Sequence, residues 1–145
     1  MTMAAKRQFL SLTALLVLVA SSARGQGSPL TPAHVAPFMG TWAITMTEPK
    51  EFKGSQQTVK IWDQDGRVAA SVQVGATPNV VTGVHRDGEM LVLTLSHDAR
   101  PPILENGAPI SAVILLTLEG DTMRMALMLE KSQTIKRGTG KKQAG

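Results

Sequence analysis

The sequence predicts an all-β fold: an antiparallel up-and-down meander of about eight strands closed into a barrel, behind a short N-terminal helical turn. Three observations predict it. Apolar and polar residues alternate with period two along most of the chain after Gly40. The tight-turn dipeptides Asp65-Gly66, Asp87-Gly88 and Gly120-Asp121 separate successive alternating runs. No stretch of helical period is long enough to cover an open sheet, so closure is what removes the exposed edges.

Thr31-Pro32-Ala33 places a capping residue before a proline at the first helical position, and predicts one short turn through Val35 that Pro37 stops. Strand one follows, with Trp42, Ile44 and Met46 on one face. Strand two carries Val59 and Ile61, and strand three Val68, Ala70, Val72 and Val74. The fourth has no fixed face, because Val80, Thr82 and Val84 alternate as well as Val81, Gly83 and His85 do. Leu91, Leu93 and Leu95 make a fifth strand, and Ile110, Ala112, Ile114, Leu116 and Leu118 a sixth. Met123, Met125, Leu127 and Leu129 make the seventh, and Gln133 to Arg137 a short eighth. The turn dipeptides predict hairpins joining strands two and three, four and five, and six and seven. Longer loops at 49–54, 75–79 and 99–109 fall at the opposite end of the sheet.

The segment before the fold reads as an export signal. Lys6 and Arg7 precede an apolar run from Phe9 to Ala20, and small residues follow, giving cleavage sites near Ala23 or Gly25. The run is short for a bilayer span and contains Ser11 and Thr13, so no stable membrane insertion is expected after cleavage. The expected organisation is a signal peptide at 1–25, a linker and helical turn at 26–36, a barrel at 37–138 and a basic flexible tail at 139–145. A secreted or periplasmic location follows from the signal. The chain has no cysteine, so neither a lipid anchor nor a disulfide is available and the core alone must hold the fold.

The basic balance lies largely outside the barrel. Without Lys6, Arg7 and Arg24, 12 basic residues face 11 acidic ones. There is no Tyr, and only Phe38, Trp42, Phe52 and Trp62 remain as aromatics after the signal, which leaves no platform for stacking bases. Nucleic acid is not an expected partner.

Phe38-Met39-Gly40-Thr41-Trp42 after a helical turn, with a late arginine on the final strand, resembles the calycin group: lipocalins, fatty-acid-binding proteins and avidins. The resemblance implies a plug made of Gly40, Trp42 and Arg137, in which the indole closes one end of the barrel and the basic residue lies over it. Lys136 is the other choice for that partner. The sequence departs from the group in lacking the aspartate–tyrosine turn motif and C-terminal helix of lipocalins, and the aromatic cluster with which avidins enclose biotin.

An eight-stranded barrel either fills with side chains or holds one small ligand. Its expected ligand-binding set is Ile44, Met46, Ile61, Val72, Leu93, Leu95, Ile114, Leu116, Met123 and Met125, aliphatic and methionine-rich, suited to an apolar molecule without strong charge. The mouth would be framed by Pro78-Asn79 and the stretch from Pro101 to Pro109. His34, His85 and His97 lack metal-ligand spacing, so neither a metal nor a cofactor is expected. His97-Asp98 offers a base and an orienting carboxylate but no nucleophile nearby, and no catalytic residue is assigned. The leading reading is a small-molecule-binding barrel that sequesters or carries an apolar ligand. The alternative is a solid barrel acting through its loops and outer face, where Met90, Val92, Val113, Leu115 and Met128 form an apolar stripe fit for homo-oligomer contacts.

Overall fold

In the computed structural model the described residues are 30–74, 78–99 and 101–144. The predicted export signal and its cleavage sites lie outside them. Alternation and tight turns produce eleven strands among the described residues: β1 (Gly40–Glu48), β2 (Gln56–Gln64), β3 (Arg67–Gln73), β4 (Pro78–Val80), β5 (Gly83–Asp87), β6 (Met90–Leu95), β7 (Ile103–Glu105), β8 (Ala108–Ile110), β9 (Ala112–Glu119), β10 (Thr122–Leu129) and β11 (Ile135–Lys142). Nine form one curled antiparallel sheet in the order β4-β3-β2-β1-β11-β10-β9-β6-β5, and β7 and β8 form a separate hairpin. The all-β antiparallel architecture is as the alternation predicts. All three expected hairpins form: β2 with β3, β5 with β6, and β9 with β10. At the first turn Asp65 and Gly66 both take positive φ (54° and 85°), the geometry that suits the twist of a two-residue hairpin.

The expected fourth strand is split, and the split explains its ambiguous face. Val81 donates its N–H to Ala70 O (3.0 Å), continuing the pairing with β3, while Thr82 donates to Thr94 O (2.8 Å) and begins the pairing with β6. Over two residues the backbone changes partner, and the inward side changes parity. Val81 and Val84, three positions apart, both pack on the core. Each of the two alternating sets is therefore half right. The two terminal strands of the sheet, β4 and β5, are consecutive in the chain, so this bend is the seam along which the sheet curls round.

The last strand corrects the expected boundary at residue 138 and the flexible tail. β11 continues to Lys142, paired to β1 from Trp42↔Lys142 and to β10 from Thr122↔Lys141. Gly138 and Gly140 read in sequence as a break, yet both lie within the ladder. A Cβ on Gly138 would sit 2.8–2.9 Å from Thr45 O, Ile44 Cγ2 and Met46 Sδ. The strand needs glycine there because its neighbours' side chains already fill the space.

The core is the inward set of every long strand: Trp42, Ile44 and Met46; Val59 and Ile61; Ala70 and Val72; Leu91, Leu93 and Leu95; Ala112, Ile114 and Leu116; Met123 and Met125. Short turns close one end of the curled sheet, and a 3₁₀ helix, Pro32–Phe38, lies across it. That helix is longer than the turn expected. Val35 leaves helical angles (φ −132°, ψ 25°), and a second turn containing Pro37 follows to Phe38.

Candidate functional site: a plugged base and an open apolar mouth

Val35, Phe38 and Trp42 are buried together at the closed end. Trp42 Nε1 donates to Phe38 O at 2.8 Å, satisfying a carbonyl that would otherwise be buried without a partner. The expected basic partner, Arg137, is elsewhere. Its guanidinium points outward and pairs with Glu48 at 3.7 Å, both groups being more than half exposed. Lys142 takes the role instead, with Nζ 5.3 Å from the centre of the Trp42 ring. Strand parity accounts for the correction: Lys136, Gly138, Gly140 and Lys142 share the inner side of β11, whereas Arg137 alternates away from them. Gly40 belongs to the plug for a geometric reason. Its φ is +119°, and a Cβ there would stand 3.3 Å from the Lys142 side chain. A second cation escaped the sequence reading. Arg86 donates to His34 O at 2.7 Å and lies 5.5 Å from the Phe38 ring centre, tying β5 to the plug helix.

The other end holds a cavity of about 310 Å³. Its inner wall includes Met46, Val72, Leu95 and Ile114 from the expected ligand-binding set, with Leu127 beside them. The remaining six members, Ile44, Ile61, Leu93, Leu116, Met123 and Met125, are buried nearer the plug in the packed core and do not line this cavity. The barrel is thus filled at its base and open at its mouth. Asn79 and the stretch beginning at Pro102 frame that mouth, and Asn79 Nδ2 donates to Pro101 O at 2.8 Å to join the two loops. Inside the loop expected at 99–109, β7 and β8 form a hairpin turned by Asn106 and Gly107, both at positive φ (54° and 81°). Asn-Gly is a strong short-range hairpin signal, and it was there to be read.

Five large hydrophobic side chains are exposed among the described residues, and Phe52 (40%), Val74 (57%) and Leu104 (58%) border this cavity. Phe52 sits on a 3₁₀ turn, Lys50–Phe52, and Lys136 Nζ lies 3.8 Å from its ring centre. One wall residue was missed in the sequence. Gln57 shares the parity of Val59 and Ile61, so β2 carries its amide into the interior, where it is 8% exposed. Its Oε1 is buried and accepts no hydrogen bond from any described residue.

The outer face holds two grooves, of about 540 and 410 Å³, that divide the expected apolar stripe. Val113 and Met128 line the first, and Met90 and Leu115 the second. Val92 is buried between neighbouring strands at 6% exposure. His97 Nε2 and Asp98 Oδ1 stand 3.3 Å apart, but both are largely exposed, as a solvated turn pair would be.

No family model and no curated protein sequence matches the chain. Among solved structures, the chain is similar to an abundant heat soluble (SAHS) protein from Ramazzottius varieornatus, at 13% identity and a TM-score of 0.45, over 74% of this chain and 96% of that one.

Proposed function

We propose that this protein is an exported, calycin-like barrel that binds a small apolar molecule in its mouth cavity. The supporting observation is the conjunction at one end of the fold. A cavity of about 310 Å³ has aliphatic walls and a rim of exposed Phe52, Val74 and Leu104. Soluble proteins rarely leave large apolar side chains grouped in the open without a use for them. The volume lies at the lower end of the range of ligand pockets, roughly 300–1,000 Å³, which favours a single short chain or a small ring system. Export is supported by the basic-then-apolar start of the sequence, with small residues at its end.

The test is displacement of a fluorescent apolar probe, compared between wild type and Leu127→Arg. Leu127 lines the cavity and is only half-buried, so a longer charged side chain can fill the space without breaking the inner core. Loss of probe uptake by the folded variant is the expected result. Undiminished uptake would remove the mouth as the site.

The apolar outer face favours a second reading, in which the barrel acts through self-association. The grooves beside Val113, Met128, Met90 and Leu115 are its support. Sedimentation across a wide concentration range tests it, and a strict monomer would count against it.

A further inference from the structure

We infer that the bound molecule is a neutral amphiphile whose hydroxyl group donates a hydrogen bond to Gln57; the inference rests on the mouth cavity being the binding site. An amide in a β-barrel interior is costly unless its polar atoms are paired. Gln57 belongs to the cavity wall on a side chain that is 8% exposed, and its Oε1 is buried with no hydrogen-bond partner among the described residues. The same wall holds Met46, Val72, Leu95 and Leu127, which cannot donate a hydrogen bond. Its side-chain donors are directed elsewhere: Ser55 Oγ to Phe52 O, Asn79 Nδ2 to Pro101 O and the Lys136 ammonium to the Phe52 ring. An apolar chain with no polar group would leave the oxygen unsatisfied in a drier site than before. A chain ending in a hydroxyl satisfies it and keeps the aliphatic walls in contact.

The charge arrangement argues against an anion as the preferred head. The nearest cation in the cavity wall is Lys136, whose ammonium already rests on the Phe52 ring at the rim, 3.8 Å from its centre. An acceptor-only carboxylate beside Gln57 Oε1 would place oxygen against oxygen. A hydroxyl supplies the missing donor without bringing a charge into the interior.

Binding of decanol, decyl methyl ether and decanoate to the full chain tests this, with Gln57→Leu and Lys136→Met alongside wild type. Wild type should bind the alcohol about tenfold more tightly than the ether, which cannot donate. Gln57→Leu should stay folded and bind the two equally, since leucine keeps the bulk and removes the acceptor. Equal binding of alcohol and ether by wild type, unchanged in Gln57→Leu, would overturn the hydroxyl subsite and leave the apolar carrier standing. Decanoate binding tightest, and losing that advantage in Lys136→Met, would overturn it in favour of an anionic head at the rim. Failure of all three to bind would overturn the subsite and the carrier reading together.

Discussion

Trp42 is where the fold can be tested most sharply, because two separable contributions meet in one side chain. The indole is 2% exposed, and its N–H is bonded to Phe38 O at 2.8 Å in a buried setting. Truncation to alanine removes the packing, at a cost of about 3–5 kcal/mol for a buried Trp. It also leaves the Phe38 carbonyl unpaired, for about 1–3 kcal/mol more. That total approaches the whole stability of a typical domain, about 5–15 kcal/mol, so Trp42→Ala should be largely unfolded or barely folded. Trp42→Phe is the informative partner. It keeps an aromatic ring in the plug and deletes the donor, so the carbonyl term should dominate its cost. At about 4–8 °C per kcal/mol for a domain near this size, a loss of about 2 kcal/mol reads as a fall in Tm of roughly 8–16 °C. Thermal unfolding followed by far-ultraviolet circular dichroism measures it. A Tm within 2 °C of wild type for Trp42→Phe, taking about 2 °C as the resolution of such a comparison, would refute the hydrogen bond as a structural requirement. The same result for Trp42→Ala would refute the plug itself.

The basic residues should separate cleanly. Lys142→Ala should cost about 1 kcal/mol through the lost ring contact, whereas Arg137→Ala, which breaks only an exposed ion pair, should cost between about 0 and 1 kcal/mol and lie toward the low end. Denaturant midpoints of the two variants check the order. Gly138→Ala should destabilise by about 1–3 kcal/mol, because a methyl group would press on Thr45 O, Ile44 and Met46; a neutral result would mean that β1 yields more easily than its packing implies. Deleting residues 139–145 should unfold the protein, since Thr139 to Lys141 are paired on both sides and Lys142 with β1. A fully folded truncation by circular dichroism would restore the view of that segment as a tail.

Most of the barrel was legible because its signals are local. Asp65-Gly66 and Gly120-Asp121 fix turns, and the leucines of β6 leave no doubt about which side faces inward. What stayed hidden depended on partners distant in sequence. Gly138 and Gly140 look like the end of a strand until Ile44 and Met46, about 90 residues earlier, are seen to need their space. The seam at Val81 and Thr82 left a mark, two competing alternations, whose meaning appears only when both neighbouring strands are known. At the mouth, the apolar wall was readable from parity, and Gln57 obeyed the same rule. It was overlooked because a polar residue at an inward position reads as a strand end. The wrong cation over Trp42 had a similar origin: stopping β11 at Arg137 removed Lys142 from view.

The place of β11 has a consequence for how the protein is made. It is the last described strand along the chain, yet it occupies the middle of the nine-stranded sheet. Until it arrives, β1 to β4 on one side and β5, β6, β9 and β10 on the other are two half-sheets joined by a bend, with the inner edges of β1 and β10 unpaired. Such edges invite pairing with other chains, and a closure that joins the earliest strand to the latest is slow because it waits on distant contacts. A chain emerging N-terminus first therefore cannot complete this sheet step by step. A holding factor, or rapid arrival of β11, would decide whether newly emerged molecules fold singly or aggregate.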